Sequence, residues 1–132
     1  IGSDLNPHAC RQARERGVEA ARADLLAPFA DDTFDAVLFN PPYLPRVEAA
    51  ERDDWVEEAL TGGETGREVI EPFIEQVGRV LVPGGSVYLV VSTLTGVPEV
   101  EVIATEAGFA VETVREQSFP FEKLLVLRLR RR

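Results

Sequence analysis

The sequence predicts a single α/β domain, residues 1–132, with a mostly parallel sheet, helices on both faces and an antiparallel C-terminal hairpin. Apolar strand-like runs alternate with segments of helical spacing. Two runs, 34–39 and 86–92, are apolar enough to be strands buried on both faces of a parallel sheet. Residues 109–130 alternate around the turn Phe119-Pro120, which is typical of a hairpin.

Composition narrows the class of protein. The 132 residues are 45% hydrophobic, which suits one domain with a real core. They contain neither an apolar run of about 18 residues nor a signal pattern, so we expect a soluble, cytoplasmic protein that does not bind membranes. The single cysteine, Cys10, is expected to be a small buried residue on a helix, and it excludes an internal disulfide or a cysteine metal cluster. A formal charge of -9 argues against a broad phosphate-binding surface.

The first element is a strand that ends in an acid and leads into a helix. Asn6 is a good N-cap and Pro7 suits the first helical position, so we expect a helix from Pro7 to Arg16 that stops at Gly17. An acid at the end of a parallel strand is where nucleotide-binding folds hold a ribose diol. Asp4 therefore has two interpretations, a ribose ligand or a plain turn aspartate.

Two further strands end in polar residues. The strand 18–23 leads into Asp24, and the strand 34–39 leads into Asn40-Pro41-Pro42-Tyr43. The prolines force the chain out of the sheet at the carboxyl end of the strand, the edge where parallel sheets bind ligands. An asparagine amide beside a tyrosine ring can hold a planar amide or amine. Asp24 could equally be a loop aspartate that bonds its own backbone.

The least regular part is 44–66. An acidic helix over 48–60 would carry Trp55, as a packing residue or a ligand platform, and the glycine-rich run 61–66 is expected to form a flap over the site. This run lacks the lysine and the preceding strand of a phosphate loop.

The remaining elements follow from apolar spacing and from proline and glycine positions. The spacing from Val69 to Leu81 predicts a helix with one buried stripe that starts or bends near Pro72. We expect Pro83-Gly84-Gly85 to be a turn before the strand 86–92. A helix should run from Pro98 to Gly108, followed by the hairpin strands 109–116 and 122–130 and a solvated arginine tail.

These features together resemble a class I S-adenosylmethionine-dependent methyltransferase, which has a Rossmann-like fold. The run Asn40 to Tyr43 resembles the motif of enzymes that methylate planar nitrogens. With Trp55 and the run Thr61-Gly62-Gly63-Glu64-Thr65-Gly66-Arg67-Glu68-Val69-Ile70, the sequence is similar to the HemK2/Mtq2 branch of the release-factor glutamine methyltransferases. The resemblance covers nearly the whole chain.

The resemblance implies a role for each matching residue. Asp4, with Leu5 beside it, would bind the ribose of S-adenosylmethionine, and Asp24 the adenine amino group, with Leu25 packed on the ring. Asn40 would contact the methionine end of the cofactor and the substrate amide, the latter together with the carbonyl of Pro41. Pro42 and Tyr43 would flank the target. The implied reaction is N5-methylation of the glutamine in the Gly-Gly-Gln motif of a peptide chain release factor, which acts in translation termination.

Two departures from the family pattern stand out. The family's first strand and glycine-rich cofactor loop should precede Ile1, so we expect these 132 residues alone to bind S-adenosylmethionine weakly or not at all. Pro72 lies in a helix that the family usually leaves free of proline. The resemblance also implies a heterodimer with a small zinc-binding Trm112-like protein, which would hold the zinc; no metal site is expected in this chain.

Two other functions compete with this interpretation. The same four-residue motif serves N6-adenine methylation of DNA or RNA, but the charge of -9 disfavours nucleic acid as a direct substrate. The chain could also be an inactive methyltransferase-like scaffold that only binds a partner, which the intact Asn40 to Tyr43 run disfavours.

Overall fold

The structure is a computed structural model that describes residues 1–42 and 66–132. It contains β1 (Gly2–Asp4), α1 (Pro7–Glu15), β2 (Ala20–Arg22), β3 (Phe34–Phe39), α2 (Ile70–Val80), β4 (Leu81–Ser92), α3 (Val97–Glu106), β5 (Phe109–Ser118) and β6 (Lys123–Arg131). β1 and β2 form a parallel pair, and the other strands form a second sheet in the order β3-β4-β6-β5. β3 and β4 are parallel, whereas β6 is antiparallel to both β4 and β5. The predicted α/β fold with a C-terminal antiparallel hairpin is confirmed.

Helix α1 begins and ends where its capping residues predict. The Asn6 side chain accepts a hydrogen bond from the His8 amide at 2.8 Å, and Pro7 occupies the first turn. The helix ends before Gly17, whose φ of 84° is easy only for glycine. Cys10 lies on the inner side of this helix and is 2% exposed, so its predicted burial is confirmed.

The core lies between α2, α3 and one face of the four-stranded sheet. Helix α2 contributes its predicted apolar stripe, Ile70, Phe73, Ile74, Val77 and Val80. The helices share one cluster with the alternate, inward residues of the sheet: Val87, Leu89, Val91, Leu125, Leu127 and Leu129, with Val100 and Ala104 of α3. Pro72 is the third residue of α2, a position whose amide has no partner within a helix, so it fits without breaking the helix.

Strand β3 is not buried on both faces, and that prediction was wrong. Leu38 is 78% exposed, and Ala36 is also exposed. The alternate residues Val37 and Phe39 are half-buried, and the Phe39 ring packs on Phe73 with ring centres 4.3 Å apart. The physical reason is that the described helices cover only one face of this sheet, so an apolar strand here has one covered side.

The run Pro83-Gly84-Gly85 was predicted as a turn before a strand, but it lies inside β4. Phe34 pairs with Leu81 and Ala36 pairs with Ser86, so β4 carries extra residues between two paired positions. The strand therefore begins five residues earlier than 86 and bulges at the glycines. At Gly85 the bulge brings backbone so close that a Cβ would lie 3.0 Å from the Val82 carbonyl oxygen and 3.1 Å from that of Phe34.

Replacing Gly85 with alanine is expected to destabilise the fold by about 1–3 kcal/mol, because rigid backbone carbonyls cannot move aside for the methyl group. Gly78→Ala is the matched control: it lies inside α2, and its Cβ would meet the Phe109 ring at 3.6 Å and the Arg131 side chain at 4.0 Å, both ordinary contacts. It should raise stability by about 0.5–1 kcal/mol through helix propensity. Urea midpoints of the two variants measure both effects, and equal shifts would contradict the crowding at Gly85.

Arg130, Arg131 and Arg132 are exposed, as the sequence predicts, but two C-terminal arginines also make contacts that it did not predict. Arg131 donates to the carbonyl of Leu81 at 3.1 Å, and Arg132 donates to that of Thr105 at 2.9 Å. Arg128 forms an ion pair with Glu112 across the hairpin. The hydrogen bond to Glu112, and to a smaller extent one to Tyr88, raises the pKa of the Arg128 guanidinium above its ordinary value. The arginines therefore fasten the last strand to the body of the domain.

Across residues 1–42 and 66–132, the structure contains no helix with both the length and the apolar character that a membrane span requires.

Candidate functional site

The polar residues singled out in the sequence lie at the carboxyl ends of three strands. Asp4 is the last residue of β1, Asp24 follows the end of β2, and Asn40 directly follows β3. All three residues are exposed. Because β1 is parallel to β2, the carboxyl ends of these two strands share one edge. Asp4 and Asp24 therefore lie at one edge, and Asn40 is exposed at the carboxyl end of β3 in the second sheet.

The ends of β1 and β2 are tied into one unit. The Ala23 amide donates to the Asp4 carbonyl at 3.0 Å, and Arg22 donates from its side chain to the Leu5 carbonyl at 2.9 Å. Oδ1 of Asp4 accepts the Asn6 amide at 2.8 Å. This turn contact orients the exposed carboxylate at the start of α1, so the two interpretations of Asp4 are compatible.

Leu25 is held beside β1 by a contact that sequence reasoning missed. The Ser3 hydroxyl donates to the Leu25 carbonyl at 2.9 Å, and Leu25 has the unusual φ of 52°. Its side chain is half-buried at the edge of a cleft. The sequence shows only that Ser3 lies within a strand, and a serine there does not indicate which carbonyl its hydroxyl will contact.

Asn40 is presented by a well-packed strand end. Phe39 precedes it and packs against Phe73 of α2, while Pro41 after it is buried and Pro42 is half-buried. Asn40 itself is exposed between these packed neighbours, so it is accessible to a ligand. Tyr43, Trp55 and the predicted flap at 61–65 lie outside the described residues.

A cleft of about 300 Å³ separates β1 from β3. It is lined by Ile1, Gly2, Ser3, Leu25, Leu26, Phe29, Phe34, Ala36, Val37, Leu38, Phe39 and Phe73. Asp4, Asp24 and Asn40 are not part of its lining, so this cleft is not the polar site itself. Among the described strands, β1 pairs only with β2, and β3 pairs only with β4. The edges of β1 and β3 that face the cleft therefore have no described strand paired with them.

Arg67 of the glycine-rich motif contacts the loop that follows β4. Its guanidinium donates to the carbonyl of Thr95 at 2.6 Å, and Thr95 is only 1% exposed. This contact joins the start of α2 to the carboxyl end of β4, the same edge at which Asn40 leaves β3. The motif gave no role for Arg67, because spacing along the sequence cannot show which carbonyl a guanidinium will reach.

The parallel strands, the packed helices and the C-terminal antiparallel hairpin form a fold that a solved methyltransferase complex shares. Mtq2 from the E. cuniculi Mtq2–Trm112 complex, which methylates the translation termination factor eRF1, is 30% identical. The match has a TM-score of 0.77 and covers all of this chain and 71% of that one. The fold class is therefore that of a class I methyltransferase.

Curated relatives define the family within this class. A protein of Methanocaldococcus jannaschii, named as a candidate N5-glutamine methyltransferase, is 35% identical over 96% of this chain and 67% of its own length. Human methyltransferase HEMK2 is 29% identical over 96% of this chain and 63% of its own. No family model matches the chain. The chain belongs to the release-factor glutamine methyltransferase family, in the group that includes HEMK2 and Mtq2, and spans about two thirds of these relatives.

Proposed function

We propose that this protein transfers a methyl group from S-adenosylmethionine to the side-chain nitrogen of the glutamine in a release factor's Gly-Gly-Gln motif. The observation that carries the proposal is the exposed Asn40, which lies at the carboxyl end of β3 between Phe39, packed against Phe73, and the buried Pro41. The substrate class follows from the family, whose members methylate glutamine side chains. Such an enzyme would act in the cytoplasm, where translation termination takes place.

The cofactor would lie at the carboxyl ends of β1 and β2. The oriented Asp4 carboxylate suits the two ribose hydroxyls, because one carboxylate can accept both hydrogen bonds. Leu5, 45% exposed beside it, and the half-buried Leu25 offer apolar surface to the sugar and the adenine ring. The exposed Asp24 carboxylate would accept from the adenine amino group. When bound, S-adenosylmethionine supplies an electrophilic methyl group on a sulfonium.

The chain's own contribution to the reaction is positioning. A carboxamide nitrogen is a weak nucleophile because its lone pair is delocalised into the carbonyl. The Asn40 side-chain oxygen and the Pro41 carbonyl oxygen would each accept a hydrogen bond from the glutamine NH2 group. These two bonds would localise the lone pair on the nitrogen and direct it towards the methyl carbon. The new nitrogen–carbon bond would replace the sulfur–carbon bond of the methyl donor, S-adenosylhomocysteine would leave, and the nitrogen would release one proton. Pro42 and Tyr43 would hold the glutamine side chain in this position.

The proposed substrate is tested with the full-length protein, the Trm112-like partner that is proposed below, and labelled S-adenosylmethionine. We expect label to enter a release factor and to be absent from the same factor with its Gly-Gly-Gln glutamine replaced by alanine. A DNA or RNA duplex in a parallel reaction tests adenine methylation. Equal label in both release factors, or label only in nucleic acid, would refute the glutamine assignment.

We further propose a heterodimer with a small zinc-binding Trm112-like protein. Among the described strands, β2 pairs only with β1, so its other edge is open to a partner. Ala20 and Ala21 on this strand are small and half-buried, and Val18 just before it is 46% exposed. An added strand would satisfy the backbone groups of that edge and cover its apolar side chains. If the protein were soluble and fully active when purified as a monomer, this partner would not be required.

A further inference from the structure

Exposed apolar side chains cluster at the turn between β5 and β6 and in the loop after β4. Phe121 is 92% exposed, Phe119 is 44% exposed, and Leu94 in the neighbouring loop is 46% exposed. We call Leu94, Phe119 and Phe121 the apolar tip. Hairpin turns are normally polar, and large exposed aromatic residues are typical of binding surfaces.

Hydrogen bonds join the backbone of the hairpin turn to the loop that follows β4. The Ser92 hydroxyl donates to the Glu122 carboxylate, and the Phe119 amide donates to the Glu122 carbonyl at 2.7 Å. The Lys123 amide donates to the Thr93 hydroxyl at 3.0 Å, and the Thr93 amide donates back to the Lys123 carbonyl at 3.0 Å. Because the two loops are bonded to each other, the turn that carries Phe119 and Phe121 keeps its place beside Leu94.

The strand register places the apolar tip at the same edge of the sheet as Asn40. Phe39 pairs with Leu89 in parallel β3 and β4, and Ser92 at the end of β4 pairs with Leu124 of β6. The start of β6 therefore lies at the carboxyl edge, with the tip just beyond it. Two strand spacings, about 10 Å, separate β3 from β6, which is farther than one glutamine side chain reaches.

We propose that the apolar tip docks the body of the protein substrate while the methylated loop reaches Asn40; this inference rests on the proposed function. The separation suits a second contact made by a folded protein, beyond the reacting residue. Large aromatic side chains on an ordered backbone are typical anchors of protein interfaces, because little backbone entropy is lost when a partner covers them. A nucleic-acid backbone would instead require a group of cations, which a chain of charge -9 with an apolar tip does not favour.

The test compares Phe121→Ser with Val102→Ser in the full-length protein with its partner. Val102 is 54% exposed on α3, so the control removes a similar apolar surface elsewhere. For an intact release factor, Phe121→Ser should raise KM about ten-fold and leave kcat and cofactor affinity unchanged. Val102→Ser should leave both constants within about two-fold of the wild type.

Substrate size separates docking from a structural effect. With a short peptide that carries only the Gly-Gly-Gln loop, kcat/KM of Phe121→Ser should equal that of the wild type, because the peptide cannot reach the tip. An unchanged KM for the intact release factor would overturn the docking surface, as would an equal loss with protein and peptide. If the wild type labels no release factor at all, the proposed function fails, and the docking surface falls with it.

Discussion

Asn40→Ala is expected to lower the rate of methyl transfer to the release factor by about 10²–10³-fold, the loss typical when one positioned electrostatic partner is removed. The variant loses the side-chain acceptor that would localise the nitrogen lone pair, while the Pro41 carbonyl remains. Folding should be unaffected, since Asn40 is exposed and its neighbours carry the packing. Initial rates with labelled S-adenosylmethionine measure the loss.

Asp35→Ala provides the control for Asn40→Ala. Asp35 is exposed on the same strand but lies near its amino end, away from the proposed site. Its activity should match the wild type, and both variants should unfold at the wild-type temperature. If Asn40→Ala retained more than about a tenth of the activity, the amide would not be the clamp that the mechanism requires.

Leu89→Ala is expected to produce the largest loss of stability, about 2–5 kcal/mol. Leu89 is 0% exposed, and its strand neighbours are Phe39 on one side and Leu127 on the other. Truncating it leaves a cavity in the middle of the core. Domains of this size are typically stable by only about 5–15 kcal/mol, so a large part of the total would be lost.

Urea denaturation followed by circular dichroism measures this loss. Val90→Ala is the matched control, because Val90 is the next residue of β4, lies half-buried on the opposite face and should cost about 1 kcal/mol. The urea dependence of the free energy should be the same for both variants. A loss below about 1 kcal/mol for Leu89→Ala would show that this part of the core relaxes to fill the space.

The sequence predicted most elements because local signals define their ends. Asn6, Pro7 and Gly17 mark α1, and the apolar spacing after Val69 marks α2 together with the side that it buries. The alternation on both sides of Phe119-Pro120 marks the hairpin. Each of these signals acts over a few residues, so the sequence itself contains the information.

The wrong predictions concern properties that depend on distant residues. An apolar run reads the same whether one or both faces are covered, so the sequence could not show that Leu38 is exposed. A Pro-Gly-Gly run marks a bend but cannot distinguish a turn between elements from a bulge within β4. The contact of Arg131 with Leu81 links residues far apart in sequence, and no local pattern encodes it.

Part of the candidate site could be predicted from the sequence. The polar residues Asp4, Asp24 and Asn40 lie at strand ends, as their positions in the sequence indicate. Their roles as ligands stay a prediction. The contacts that fix these strand ends, such as that of Ser3 with Leu25, were not predictable, because a hydroxyl is common in strands for many reasons. The apolar tip was visible as two phenylalanines around Pro120, but only the exposed fraction separates it from core.

The burial of Cys10 provides a measure of how often the first part of the fold opens. Its thiol lies beneath α1, with the sulfur 3.4 Å from the Asp4 carbonyl oxygen and 3.5 Å from that of Ala21. A thiol reagent can therefore reach it only when α1 lifts away from β1 and β2. The 132 residues contain no other cysteine, so the rate at which a thiol reagent labels Cys10 reports the opening of α1 without any mutation. A ligand held by Asp4 would slow the labelling in proportion to its occupancy, which makes this thiol an intrinsic reporter of cofactor binding.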